Sequence, residues 1–416
     1  MTVLASNLRV TWAAYGRCMP FLSPTSPARA IPRSGIRTLM ELALRDPQAI
    51  HLEIGEPDAR PPAHVVEAVE RAALDGELGY TSSLGLEALR EAGAERIARR
   101  SGARADASSV VVTHGAMSGL TTVMTALLGP GDELLLPDPT FPNWAMAARA
   151  CGLVPTTYAT HASEGFVPRV EDVAAAITPR TRAIVVCSPN NPTGAVYPAA
   201  TLEALVELAR RHDLWVLSDE CYEAITFDTP HVSPAAFDTD GRVLVFHSMS
   251  KTYAMTGWRV GLAHLPDPEL VELVGHVAEA TLACPSTSGQ HAALAALTGS
   301  QEWVHDAVES YWDRRDAAVR LLAARGLRYS EPDGAFYLLV DVGATDTDAF
   351  ATRLLTRRHV AVAPGSTFGA GAGGMVRVSL AAPRDALLEG LTRLADEVRD
   401  EGRAAPGNAV RAAAAR

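Results

Sequence analysis

Between Ser108 and Lys251 one pattern recurs: a short apolar run, a turn built on glycine or proline, then a helix-like stretch. The runs are VVVT after Ser109, ELLLPD, AIVVC, WVLSD and RVLVF. A strand with one wet face alternates apolar and polar residues, whereas continuous apolar runs belong to strands covered on both faces. Strands of this kind separated by helices predict an α/β fold. Its large domain, over about 60–295, is a mainly parallel sheet covered by helices on both faces. After it come a long helical region around His291–Ala324, the strand-like AFYLLVDV and MVRVSL, and a last helix near Asp385–Asp400. These predict a smaller α+β domain formed by both chain ends: residues 296–416, joined by the amino-terminal segment 1–59.

Composition narrows the function. The net charge is −11 with the signs mixed along the chain, so there is no basic face for nucleic acid. No apolar stretch reaches the length of a bilayer-spanning helix, and a non-membrane, cytoplasmic protein is expected. The five cysteines form no close pair, which fits a reducing compartment, and the histidines show no metal-ligand spacing, so no metal is expected. Trp12, Tyr15 and Phe21 either line an apolar pocket or belong to a packed terminal segment; the tail from Arg403 reads as frayed.

Of the 37 basic residues, 36 are arginine, and Lys251 is the only lysine. A surface cation can be either type. A primary amine, however, can lose its proton and form a Schiff base with an aldehyde, which a guanidinium cannot do. The lone lysine therefore marks either a surviving surface residue or a nucleophile.

Four pieces, THGAMSG, SPNNPTG, SDECY and HSMSK, stand at the carboxyl ends of predicted parallel strands, where α/β sheets bind ligands. The backbone N–H groups of Ala116 and Met117, at a helix start, suit a phosphate, or the turn serves geometry alone. Arg259, Ser248 and Ser250 form a more specific anion set, the alternative for Arg259 being a surface ion pair. Asp219 ends an apolar strand and needs a cation or donor, such as a protonated ring nitrogen, unless it caps the next turn. Tyr222 and Asn191 are placed to reach the phenolic oxygen of the same ligand. Phe141 either stacks on a ring or plugs the core. Arg377, within the apolar MVRVSL, calls for an anionic partner: a substrate carboxylate or an internal acid.

Taken in order, EIGEPD, GYTSSLGLEALR, THGAMSG, DPTFPNW, SPNNPTG, SDECY, SMSKTYAMTGWRVG, PDGAFYLL and MVRVSL resemble the fold-type I, pyridoxal-phosphate-dependent aminotransferases of class I and II. The resemblance implies that Lys251 forms the Schiff base with pyridoxal 5'-phosphate and shuttles the substrate proton. It implies that Asp219 partners the pyridine nitrogen, that Asn191 and Tyr222 bind the ring hydroxyl, and that Phe141 stacks on the ring. The phosphate set is then the backbone at Ala116 and Met117 with Ser248, Ser250 and Arg259. Tyr80 is matched to a tyrosine that reaches the phosphate of the neighbouring subunit, which implies a homodimer with shared active sites. Arg377 and the Gly55 backbone match the substrate-carboxylate clamp, to which Asn191 adds a contact.

The activity implied is transfer of an amino group between an L-amino acid and a 2-oxo acid. The alternatives are a pyridoxal-phosphate-dependent carbon–sulfur lyase or other chemistry on an amino acid from the same covalent start, or a non-catalytic regulatory protein that keeps the cofactor fold. No second arginine placed for a dicarboxylate side chain is identifiable.

Overall fold

The computed structural model describes residues 26–402; Trp12, Tyr15, Phe21 and the tail from Arg403 lie outside them. The strands begin with β1 (Ile50–His51), β2 (Val110–Thr113), β3 (Glu133–Asp138), β4 (Val154–Ala159) and β5 (Thr181–Cys187). They continue with β6 (Trp215–Asp219), β7 (Val243–Ser248), β8 (Gly261–His264), β9 (Arg328–Tyr329) and β10 (Tyr337–Asp341). The last are β11 (Val360–Ala361), β12 (Ala363–Pro364) and β13 (Met375–Ser379).

Seven strands make the main sheet in the order β2-β8-β7-β6-β5-β3-β4. All run one way except β8, which pairs antiparallel with both β2 and β7. The apolar runs behave as expected: all six residues of β7 are buried, and six of the seven in β5. Two elements differ from the sequence expectation. VPTTYA forms the edge strand β4, whose exposed Val154, Thr157 and Ala159 blur the buried-strand signature. The helical region around His291–Ala324 is two helices, Thr287–Thr298 and Glu302–Ala324, parted at Gly299. A β-carbon on Gly299 would lie 2.4 Å from His64 Nε2, so the break is where another helix approaches.

Helices cover the sheet by burying one stripe each. In Ala199–Arg211 the buried residues are Leu202, Leu205, Val206, Leu208 and Ala209, a helical spacing that sets one apolar face against the sheet. Each leucine or valine so removed from water contributes roughly 1.5–3 kcal/mol.

The carboxyl-terminal part carries the antiparallel sheet β12-β13-β10-β9. The amino-terminal segment joins it, because β1 pairs in parallel with β11, Ile50 opposite Val360. Leu39, Ala43 and Leu52 enter one core with Phe350, Leu354, Val378 and Leu391. Chain ends separated by some three hundred residues of sequence thus share one hydrophobic cluster.

Candidate active site

Strand register decides what meets at the rim of the main sheet. Cys187 at the end of β5 pairs with Asp219 at the end of β6, and Asp219 with Phe246 on β7. Asn191 follows β5 by four residues and Lys251 follows β7 by three, so both fall at this edge. Gly261, the first residue of β8, pairs with Thr113 on one side and Ser248 on the other. Because β8 runs backwards, its beginning lies beside its neighbours' ends, and Arg259 just before it is delivered to the same rim.

At the β2–β8–β7 end the residues form a cradle of backbone N–H groups with a guanidinium beside them, chemistry suited to an anion. Gly115 has φ +77° and a β-carbon there would lie 2.7 Å from Arg259 Nη2, so the guanidinium rests against bare backbone. Gly261 is equally constrained: its β-carbon would stand 2.8 Å from the Ala116 nitrogen and from the His247 carbonyl oxygen. The helix Ala116–Leu127 starts at this turn and aims its first N–H groups at the cradle. Arg259 donates from Nη1 to the Thr256 carbonyl at 2.8 Å and itself holds φ +58°, a conformation that costs a non-glycine residue about 1–2 kcal/mol. Ser248 caps the helical turn Met249–Thr252, its Oγ accepting from the Ser250 N–H at 3.2 Å. Met117 packs its side chain against the core beneath.

Asp219 lies at the centre of the rim and is 7% exposed. Burial pushes its carboxyl above the ordinary value, opposed by hydrogen bonds from the Cys221 thiol and the Cys221 N–H, the latter 3.1 Å from Oδ1. Among the described residues no arginine or lysine pairs with it. A buried carboxylate so placed can take a cationic partner from a bound ligand. The cap reading is also realised, through the Cys221 N–H, but it satisfies only part of the group.

The antiparallel sheet brings a buried guanidinium to the site from β13. Arg377 is 2% exposed. Its Nη1 donates to Asn191 Oδ1 at 3.0 Å and its Nη2 to the Glu53 carbonyl at 2.5 Å. No acid closes an ion pair on it among the described residues, its Nε has no hydrogen-bond partner, and burial lowers its affinity for its proton. Lys251 Nζ donates to the Gly55 carbonyl at 2.6 Å. The amine and the guanidinium are therefore both anchored on the segment Glu53–Gly55, and the loop beyond is tied down by Thr256 on Glu56.

Tyr222 is buried, with its hydroxyl 3.0 Å from that of Tyr337. Phe141 is half-buried against the core cluster that includes Leu134, Leu136 and Trp144, so the chain alone accounts for it as packing. Tyr80 stands apart: it is 93% exposed and no hydrogen bond ties it to the others. The residue the sequence reading did not single out is Tyr337, though PDGAFYLL contained it. The missing signal was register, since only the pairing of β10 with β13 sets Tyr337 beside Arg377.

Beneath the rim lies a buried ionic layer. Arg96, on the helix Glu87–Ser101, pairs with Glu223 and donates to Tyr253 Oη at 3.1 Å. Glu220 accepts from Ser233 Oγ at 2.6 Å and Ser218 Oγ at 2.9 Å, with His231 Nε2 at 3.0 Å. Burial pushes both carboxyls up, but Arg96 and His247 hold Glu223 below its ordinary value, and His231 and His247 do so for Glu220. Replacing Arg96 with leucine strands Glu223, and we expect a loss of about 3–5 kcal/mol in chemical denaturation. The Arg96→Leu/Glu223→Gln double variant should recover a substantial part, because its buried charge is gone.

Comparison with known proteins gives the family. The family model for aminotransferase class I and II matches residues 47–394. The aspartate/prephenate aminotransferase of Thermus thermophilus is 40% identical over 361 residues, covering 86% of this chain and 92% of that protein. The arginine–pyruvate transaminase of Pseudomonas aeruginosa is 39% identical over 363 residues, covering 83% and 88%. Among solved structures, the aspartate aminotransferase of Thermus thermophilus with maleate superposes with a TM-score of 0.87 at 38% identity, covering 91% of this chain and all of that one. The chain belongs to the aminotransferases of class I and II, enzymes that exchange an amino group between amino acids and oxo acids.

Proposed function

We propose that the enzyme uses pyridoxal 5'-phosphate to move an amino group from an L-amino acid to a 2-oxo acid. The observation that carries this reading is the single lysine of the chain, its Nζ 2.6 Å from the Gly55 carbonyl, at the rim that also holds a buried acid without a cationic partner and an anion cradle. Asp219 fits a protonated pyridine nitrogen. Asn191 and Tyr222 fit the ring oxygen, and Phe141 the ring face. Gly115, Ala116, Met117, Ser248, Ser250 and Arg259 fit the phosphate. When bound, the cofactor supplies an aldehyde for the amine and a ring that accepts the electron pair left on the substrate.

The chain's own residues then do the following work. Arg377 and Asn191 fix the substrate α-carboxylate, with the Gly55 backbone beside it. Lys251 Nζ would take the proton from substrate Cα and carry it to the cofactor carbon that receives the amino group. Asp219 remains ionised to hold the positive ring nitrogen. Neither Arg377 nor Asp219 is fully satisfied among the described residues, so binding would complete their pairing and part of the electrostatic stabilisation is in place before reaction begins.

We infer likewise a large domain over about 60–295, with the described residues 26–59 of the amino-terminal segment folding back on those of 296–416. The β1–β11 pairing and the shared core support that division. A homodimer is proposed because Tyr80 projects 93% exposed near Leu74 and Leu78, 88% and 41% exposed. A second copy would cover them and bring Tyr80 to the neighbouring site. A cytoplasmic location is proposed from the unpaired Cys151, Cys187, Cys221 and Cys284. No helix among the described residues is long and apolar enough to cross a membrane.

By their names, two relatives of nearly equal identity handle arginine and aspartate or prephenate, so similarity alone does not select the donor. The test is a half-reaction screen of cationic, acidic, aromatic and aliphatic amino acids. It follows loss of the bound-cofactor absorbance and identifies each product by mass. The expected result is stoichiometric 2-oxo acid with the amino group retained on the cofactor. Ammonia and pyruvate released from a sulfur amino acid without an acceptor would overturn it in favour of a lyase.

A further inference from the structure

Tyr337 touches more of the site than any role so far accounts for. Its position follows from the pairing of β10 with β13. Leu339 lies opposite Arg377 and Tyr337 opposite Ser379, so Tyr337 and Arg377 are diagonal neighbours on one face of the sheet. The guanidinium carbon of Arg377 sits 4.2 Å from the centre of the Tyr337 ring, and Phe368 closes the arrangement with its ring centre at 4.9 Å. At the other end the Tyr337 hydroxyl is 3.0 Å from that of Tyr222. A β-carbon on Gly55 would fall 1.6 Å from the same hydroxyl oxygen, so Gly55 is bare because Tyr337 fills its side-chain space. One buried side chain, 2% exposed, thus bears on the clamp arginine, on the segment that anchors Lys251 and on Tyr222.

The two ends of Tyr337 have separate consequences. A guanidinium over an aromatic face is attracted by the ring quadrupole, most strongly where water is excluded, and the ring also fixes the plane in which the fork meets a carboxylate. At the hydroxyl end, two phenols 3.0 Å apart share one hydrogen bond and either can donate. Burial pushes the Tyr222 phenol up, and neighbouring Tyr337 adds to the shift, so Tyr222 keeps its proton. If Tyr222 gives that proton to the ring oxygen of the cofactor, Tyr337 must be the donor within the pair. A hydroxyl that accepts a hydrogen bond becomes a better donor, because the chain of bonds polarises cooperatively.

We propose that Tyr337 is a positioning residue with two functions: its ring seats Arg377 for the substrate carboxylate, and its hydroxyl donates to Tyr222, directing and strengthening the Tyr222 hydrogen bond to the cofactor ring oxygen. The inference rests on the cofactor reading above. It makes the two ends of the site, carboxylate clamp and ring oxygen, depend on one side chain of the carboxyl-terminal sheet.

The test uses the cofactor-loaded enzyme and two variants. Tyr337→Phe keeps the ring and removes the hydroxyl; Tyr337→Leu removes both. The first readout is the pH midpoint of the bound-cofactor absorbance change. Negative charge on the ring oxygen favours the protonated form of the titrating group, and a strong donor disperses that charge, so losing the donor raises the midpoint. About 0.3 pH unit upward is expected for Tyr337→Phe. The second readout is the dissociation constant of a 2-methyl amino acid, which presents a carboxylate but has no Cα hydrogen to lose. Tyr337→Phe should bind it within about twofold of wild type and Tyr337→Leu about tenfold more weakly.

An unmoved midpoint in Tyr337→Phe would overturn the hydroxyl role, and wild-type affinity in Tyr337→Leu would overturn the ring role. Should Tyr337→Leu not fold, Tyr337→Met, unbranched and able to fill the same space without a ring, decides the ring role by the same dissociation constant, while the Phe variant decides the hydroxyl role. Failure of the underlying reading looks different: wild-type protein with pyridoxal 5'-phosphate would then develop no titrating absorbance at all.

Discussion

Replacing Lys251 with alanine should abolish the bound-cofactor absorbance that titrates with pH and lower turnover by at least about 10²–10⁴-fold, the range general acid–base catalysis alone contributes. The side chain is half-buried, and its amine donates to Gly55 rather than to any acid, so no ion pair is stranded by its removal. Folding stability should therefore change by less than the loss of Arg96 costs. Because the chain has no other lysine, amine-directed reduction followed by peptide mapping gives a clean second readout. Borohydride treatment of the loaded wild-type enzyme should place all covalent label on the peptide containing Lys251, and none on the variant. Label on the chain's amino terminus alone, or retained turnover in the variant, would remove the amine from the chemistry.

The second large effect concerns Asp219, and it has opposite signs with and without cofactor. Burial raises the carboxyl above 3.8 in the folded chain. Between the unfolded and folded values the folded state then binds more protons than the unfolded state, so stability falls as pH rises through that window. Above it the ionised Asp219 is a standing cost that a positive ring nitrogen would offset. Asp219→Asn should therefore melt at or above the wild-type temperature as cofactor-free protein near neutral pH. The advantage should close as pH falls towards 3.8. In the loaded enzyme the same change removes the ion pair that keeps the ring protonated, and turnover should drop on the order of 10²-fold or more. Thermal melts of both forms across pH, with single-turnover rates, check the two signs together. A variant that loses stability in both forms would show that Asp219 serves the fold rather than the cofactor.

Both predictions use residues whose chemistry was legible before any coordinates. The lone amine among 36 arginines and an acid ending an apolar strand are anomalies of composition and burial, and such anomalies survive in a linear sequence. The same holds for Arg377 within MVRVSL, whose strand context announces a buried cation. Tyr337 was hidden because a tyrosine in an apolar strand is unremarkable by itself; its meaning lies in a diagonal contact across two strands. Phe141 shows the reverse: its position after a strand left stacking and core packing both open, and the described residues present it as half-buried packing against the core.

The sequence by itself determined the local elements and the kind of sheet, because continuous apolar runs and helical spacing report which faces are covered without reference to partners. It also determined which side chains carry unusual chemistry. Tertiary structure alone decided that β8 runs against its neighbours and so brings Arg259 to Gly115, and that β4 closes the edge. It also decided that Glu53 and Gly55 are the common anchor of Arg377 and Lys251. Those outcomes depend on strand order and register between segments up to 324 residues apart, and pairing energies of that kind leave no periodic mark on either segment.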